Sequence, residues 1–202
     1  ATGLLQLLVK YLFFILNNTK TMKKDRFGKA RTLYPDELDT LVASFPYSTP
    51  KILAATLRFS GGRCSEIAQS QWKHLSSNYL LLPAANTKTN RSRSIPINNK
   101  LRLELELWEQ HVKPKSSEDF IFSGRFPNSY YKRQSFDKAL RKYSPFEDIS
   151  THTFRRSVLT EMKRKGIPLD VICSISGHQD VKTLLIYLGI DEAEQFAAVN
   201  VL

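Results

Sequence analysis

Two short β-like runs, residues 79–83 and 92–97, stand out against helical patterning along most of the chain. The polar segment Asn86-Thr87-Lys88-Thr89-Asn90 separates them, so they read as an antiparallel hairpin with a basic tip. An isolated two-stranded hairpin is marginal in water and must be covered by helices. That excludes a sandwich, a barrel or a doubly wound sheet. The expected class is mainly α with a small antiparallel β-sheet (α+β), in the order helices, sheet, helices.

The helical signals are local and specific. Pro35 suits a first helical position, and Asp36 and Glu37 complement the positive end of a helix dipole. Leu38, Leu41, Val42 and Phe45 then recur at the spacing of one buried face. Thr49-Pro50 reads as the cap and first position of a second helix through Leu57, which Gly61-Gly62 ends or bends just before Arg63. Residues 101–107 fit two periods. Leu101, Leu103, Leu105 and Leu107 alternate as in a strand, whereas Leu101, Leu105, Trp108 and Val112 share a helical face. Length, with the Glu, Leu and Arg content, decides for helix. Further helices are expected over residues 129–143, 152–165, 169–175, 181–188 and 192–199, with Gly166 just past the end of the second of these.

With 202 residues, 42% hydrophobic and 24% charged, the chain fits one globular domain with an appended segment. A domain of this size buries roughly 70% of its unfolded surface and needs no disulfide framework or structural metal. Cys64 and Cys173 lie too far apart in sequence for a zinc ribbon and fit small apolar residues in a reducing compartment. The formal charge of +11 points to a polyanionic partner, nucleic acid ahead of an anionic membrane surface. Residues 4–16 are apolar apart from Gln6 and Lys10. The run falls short of the roughly 20 residues that span a bilayer, and it lacks the marks of a secretory signal. It is expected to be a helix buried against a partner surface. Residues 17–31 read as a linker in which Lys23, Lys24, Arg26, Lys29 and Arg31 form either a solvated tether or an arm that tracks phosphates. A start at Ala1 rather than Met is expected of a fragment or a processed product.

Taken singly, the polar residues are ordinary. An arginine after two glycines, a lysine on a hairpin, and a His-x-x-Arg pair on one helical face all occur in structural roles. Their order is less common. Gly-Gly-Arg-Cys-Ser-Glu-Ile stands at 61–67, Thr-Lys-Thr-Asn-Arg-Ser-Arg-Ser-Ile-Pro-Ile at 87–97, and Thr-His-Thr-Phe-Arg-Arg-Ser at 151–157. Ser-Gly-His-Gln-Asp-Val-Lys-Thr-Leu-Leu-Ile-Tyr follows at 176–187. The set resembles the catalytic domain of the tyrosine recombinase (phage integrase) family over roughly residues 32–202. That family reads arginine, hairpin lysine, His-x-x-Arg, Gly-His, and a tyrosine nine residues beyond that histidine, which is the spacing here.

On this resemblance Arg63, Lys88, His152, Arg155, His178 and Tyr187 are the implied catalytic residues, with Tyr187 the nucleophile and Glu66 an anchor for an arginine or a helix turn. Phe154 and Leu184-Leu185 depart from the family's usual residues at packing positions. Arg91 and Arg93, with Lys23, Lys24, Arg26, Lys29 and Arg31, are left for flanking phosphates. The acidic, amphipathic stretch after Gly189 is expected to fold back or to dock on a neighbouring copy.

The implied chemistry is phosphoryl transfer from DNA to a tyrosine hydroxyl, through a 3′-phosphotyrosyl intermediate and a free 5′ hydroxyl, without ATP. Two guanidiniums can clamp non-bridging oxygens and never deprotonate. An imidazole can take the phenol proton or hydrogen-bond the phosphate, and a lysine can protonate the leaving oxygen. These cations make a metal or other cofactor unnecessary, and no acidic cluster resembles a two-metal site. The implied partner is double-stranded DNA, gripped by a homotetramer that is monomeric in isolation, with no membrane contact. The implied location is the cytoplasm, at the nucleoid of a bacterial, archaeal or virus-infected cell. Residues 1–31 would be the remnant of a DNA-binding domain and residues 32–202 the catalytic domain. A type IB topoisomerase and a catalytically silent DNA-binding relative are the alternatives; compact spacing and the Gly-His pair favour the recombinase, and filled catalytic positions argue against silence.

Overall fold

The computed structural model describes residues 30–188 and 199–200. The expected apolar helix at 4–16, the cations Lys23, Lys24, Arg26 and Lys29, and most of the helix at 192–199 lie outside the described residues. No helix among the described residues is long and apolar enough to cross a membrane.

The order is helices, a two-stranded sheet, and helices again. Helix α1 (Pro35–Ala43) begins where Pro35 sets the first φ, and its Leu38 and Leu41 are fully buried. Helix α2 (Thr49–Ser60) is the central rod, with every residue from Ile52 to Leu57 buried. It packs against α1, against α4 (Asn99–Val112) and against α6 (Thr151–Arg164). The cap lies one residue earlier than the sequence suggested. Ser48 precedes the helix in extended conformation, and Pro50 occupies a first-turn position where its missing N–H has no partner to lose. Gly61 closes α2 in the left-handed region, at φ 60°. The short helix α3 (Cys64–Ile67) follows at once, with Arg63 as its N-cap.

Strands β1 (Tyr79–Leu82) and β2 (Arg93–Pro96) pair antiparallel, Tyr79 opposite Pro96 and Leu82 opposite Arg93. Leu80, Leu82 and Ile95 face the core while Tyr79 and Leu81 face outward, as a period of two requires. The ambiguous run after them is helical: α4 buries Leu101, Leu105 and Trp108 and exposes Leu103 and Leu107. Val112, expected on the same face, lies exposed in its last turn. The helix expected over 129–143 starts late. Gly124 N–H and Tyr131 N–H bond the carbonyls of Ser129 and Phe122, which holds 129–131 in a turn and an extended stretch. Helix α5 therefore spans Arg133–Tyr143. Helices α7 (Leu169–Ser176) and α8 (Val181–Leu188) lie close to their expected bounds.

The main core runs from Leu33 through α2 and the sheet to Phe154 and Val158 of α6. A smaller cluster of Leu159, Ile172, Leu184 and Leu188 ties α6, α7 and α8 together. Arg58 of α2, nearly buried, pairs with Asp39 of α1 at 3.0 Å and Glu161 of α6 at 2.9 Å, so one guanidinium joins three helices. Phe154 is fully buried, its ring centroid 6.1 Å from that of Phe136, which stacks in turn on Phe45. Phe154→Ala is expected to lower the unfolding free energy by about 3–5 kcal/mol. Phe154→Leu, which leaves a smaller void, should lower it by clearly less. Urea denaturation of both variants checks the order, and equal losses would contradict this packing.

Candidate active site

The site forms where five chain segments meet: the α2–α3 corner, the hairpin connection, β2, the start of α6, and the α7–α8 turn. At the corner, a Cβ on Gly62 would come within 2.8 Å of Ile67 Cδ1, so only glycine allows so tight a passage into α3. That passage sets Arg63 over the carboxylate of Glu66, with Nη1 donating to Oε1 at 3.1 Å.

Glu66 is 2% exposed and accepts from three segments. Arg63 Nη1 and the backbone N–H of Lys88, the latter at 3.3 Å, share Oε1; Arg93 Nη2 takes Oε2 in a short ion pair. Burial pushes this carboxyl up, but Arg93, Arg63 and the Lys88 N–H outweigh it and hold the group below the usual carboxylate range. The anchoring expected of Glu66 thus extends to the hairpin as well as to Arg63.

Arg155 sits one turn into α6 and is 2% exposed. Its Nη1 donates to the Gly61 carbonyl at 3.0 Å and its Nη2 to the Ser176 carbonyl at 2.8 Å, so it ties the end of α2 to the end of α7. His178 Nε2 lies 3.4 Å from the same Nη2. His152, one turn earlier, is exposed at the helix start that Ser150 caps. Partial desolvation of its ring, then Arg133 and Arg155, lower its pKa against the opposing pull of Asp137, so it is neutral near pH 7. His178 is pushed down further, to about 4, by burial first and then by Arg155, Arg63 and Arg93, with only Asp180 opposing. Both imidazoles therefore sense the guanidiniums without adding charge to them.

Lys88 lies in the connection between the strands, after a 3-10 turn at Ala84–Asn86. Its backbone is tied to Glu66 while its side chain is exposed. Tyr187 lies in the last turn of α8. Asp180 caps that helix through the Thr183 N–H at 2.7 Å, and Leu184 and Leu188 seat it on α6 and α7.

The expected flanking cations divide. Arg91 is exposed, as a contact to a neighbouring phosphate requires. Arg93 is not: its side chain is 11% exposed, paired with Glu66 and pressed over Gly177, where a Cβ would come within 2.9 Å of its Cζ. The alternation of β2 carries the signal for this, since Arg93 shares a face with buried Ile95. Arg31 is drawn into an ion pair with Glu37 at 3.0 Å and lies over the ring of Phe146. Ser176, which sequence reading passed over, touches both Arg155 and His178. Among the described residues, no group of three or more His, Cys, Asp or Glu side chains is placed to hold a metal ion.

What this arrangement does chemically is present guanidinium N–H donors and neutral imidazoles around one carboxylate anchor, beside a helix that carries a tyrosine. Such a cluster suits an anionic ligand with several oxygens.

Comparison with known proteins points the same way. Residues 31–194 match the phage integrase family. A tyrosine recombinase of Pseudothermotoga lettingae is 26% identical over 176 residues, which cover 83% of this chain and 59% of that protein. The chain thus spans about three fifths of that relative's length. The solved structure of XerA recombinase superposes with a TM-score of 0.72 at 16% identity, over 85% of this chain and 65% of that one. XerH site-specific recombinase bound to its difH substrate, in a pre-cleavage complex, gives 0.64 at 19% identity, over 83% of this chain and 53% of that one.

A histidine with a depressed pKa resists protonation in the folded state but not in the unfolded one. It therefore adds stability above its unfolded value, about 6.5. That contribution drains away as pH falls toward the folded value, about 4 for His178. An imidazole NMR titration of the folded chain should place the His178 midpoint near 4. A midpoint at the unperturbed value would contradict the cationic surround described here.

Proposed function

Because the chain belongs to the phage integrase family, we propose that it cuts and rejoins double-stranded DNA in site-specific recombination, with Tyr187 as the nucleophile. The phenol oxygen of Tyr187 attacks the scissile phosphorus. A phosphotyrosyl bond forms to the 3′ side, and the bond to the 5′ oxygen breaks. The phenol proton passes to His152 or to the solvent beside it, and Lys88 protonates the departing oxygen. Arg63, Arg155 and His178 hold the non-bridging oxygens and stabilise the charge that builds on them. Removing one such preorganised donor typically costs about 3–4 kcal/mol of transition-state stabilisation. The bond energy stays in the phosphotyrosine, so rejoining to another strand needs no ATP.

The observation that carries this reading is the setting of Arg155. A guanidinium at 2% exposure is held between the Gly61 and Ser176 carbonyls, with the His178 ring at its Nη2. A buried cation fixed so firmly is prepared for an anion and costs no reorganisation when one arrives. The exposed Lys88 amine, on a loop anchored by its own backbone, suits a proton donor that reaches in from outside.

In this reading residues 32–202 form the catalytic domain, and residues 1–31 carry an apolar stretch and a basic arm left from a DNA-binding domain. Lys23, Lys24, Arg26, Lys29 and Arg91 meet flanking phosphates. Exchange between two duplexes takes four strand cuts, so the working form on DNA is a homotetramer. Its action lies with the DNA of a bacterial, archaeal or virus-infected cell.

Tyr187→Phe should bind DNA as the parent does and form no covalent adduct with a nicked or supercoiled substrate. Adducts that persist on a denaturing gel would refute the nucleophile. Lys88→Ala should cleave slowly and recover when sulfur replaces the bridging 5′ oxygen, because a thiolate leaves without a proton. Absence of recovery would move the acid role to another side chain.

A further inference from the structure

One buried guanidinium has no part in the reaction as outlined, and the packing of its strand does not explain it. Arg93 stands on the inward face of β2 beside Ile95, with its side chain 11% exposed. Its Nη2 pairs with Glu66 Oε2. Its Nε and Nη1 are buried and meet no hydrogen-bond acceptor among the described residues. These two atoms and Cζ lie against Gly177, where a Cβ would come within 3.0 Å of each. Buried donors without acceptors are unfavourable, and an apolar side chain would fill this place at less cost. What the guanidinium does supply is a fixed grip on Oε2. That leaves Oε1 to Arg63 Nη1 at 3.1 Å and to the Lys88 N–H at 3.3 Å.

The two groups on Oε1 depend on that grip unequally. Arg63 stands three residues from Glu66, within one helical turn, so its pairing is local. Lys88 comes from 22 positions along the chain. Around it, the Asn90 N–H donates to the Thr87 carbonyl at 3.2 Å and the Arg91 N–H to Thr87 Oγ1 at 3.1 Å, with Asn90 at φ 50°. Residues 87–91 are thus a turn closed on itself. It meets α3 and the residues just after it through two long bonds, Lys88 N–H to Glu66 and Asn86 Nδ2 to the Gln69 carbonyl at 3.4 Å. A closed turn moves as one piece, so the aim of Glu66 decides where the Lys88 amine starts from. We propose that Arg93 is a positioning residue for Lys88: wedged between Gly177 and Glu66, it aims the carboxylate that fixes the Lys88 turn and so keeps the lysine within reach of the leaving oxygen. Gly177 is the wall behind the guanidinium, so the acid is set relative to the turn that leads into the tyrosine-bearing helix.

The inference rests on the reading of Lys88 as the acid, but the position of its turn is observable without DNA. In the whole chain labelled with 15N-lysine, the amide signal lost in Lys88→Arg is that of Lys88. Arg93→Met keeps length and bulk and removes the charge; it should shift this signal and speed its exchange with solvent. Arg93→Lys keeps a cation for Glu66 but lacks the flat group against Gly177, and should show the same changes in smaller degree. An unmoved Lys88 signal in the folded variants overturns the proposal. In cleavage assays Arg93→Met should be slower by about ten- to a hundredfold, the scale on which a misplaced group slows a reaction. It should recover when sulfur replaces the bridging 5′ oxygen. Added to Lys88→Ala it should cost little further, because residues that act as a unit are not additive. A loss that adds in full to that of Lys88→Ala, or that sulfur leaves in place while restoring Lys88→Ala, marks a general distortion and overturns the proposal. Sulfur that restores neither variant overturns the acid role of Lys88 and with it the catalytic half of this inference; a shifted amide signal would then still support the link from Arg93 to the turn.

Discussion

A single buried carboxylate gathers the basic residues of this site. Glu66 receives Arg63 from its own helix, the Lys88 backbone from the hairpin connection and Arg93 from β2. Without it, three cationic segments would be brought together against their mutual repulsion in a region already crowded by Arg155. Burying a carboxylate is unfavourable by itself, and the two guanidiniums and the N–H are what make it tolerable. The dependence is mutual. The sheet edge, the α2–α3 corner and the hairpin connection hold their relative positions because one negative charge needs all of them.

The second constraint is that α6 serves the core and the site at once. Thr153, Phe154, Ser157, Val158 and Leu159 are buried in its length, and Arg155 stands among them. The Ser157 hydroxyl also accepts from the Leu33 N–H at 2.8 Å, so the segment entering α1 is fastened to the same helix. Phe154 and Arg155 are adjacent buried residues of one helical turn, so the core and the site share the same stretch of backbone. In this molecule stability and site geometry are not separable along α6, whereas Lys88, exposed on its connection, is free of the core.

Most of the elements were legible because their signals are local. Pro35, the Gly61-Gly62 pair and the spacing of Leu101, Leu105 and Trp108 each act within one or two helical turns. The 129–131 segment departs from its local helix preference because its state depends on bonds to Gly124 and Phe122, which that preference does not register. The same division holds in the site. The order of Arg63, His152, Arg155 and His178 was readable along the chain, and the fold brings them into one neighbourhood. The charge of Arg93 marks it as a surface cation, whereas strand alternation puts it beside Ile95 on the inward face. Ser176 had no signal beyond its place two residues before a histidine; only the left-handed turn at Gly177 shows what its hydroxyl reaches.

The close approach of Arg93 to Gly177 also bears on how such a sequence can drift. A side chain at 177 would face two obstacles, the left-handed φ and the guanidinium within 2.9 Å. Shortening Arg93 removes the second obstacle and not the first, and it strips Glu66 of its strongest partner. A change at either position bears on the other, so the two are coupled across 83 intervening positions of chain. The α7–α8 turn inherits from the sheet a restriction on its composition that has nothing to do with its own helices.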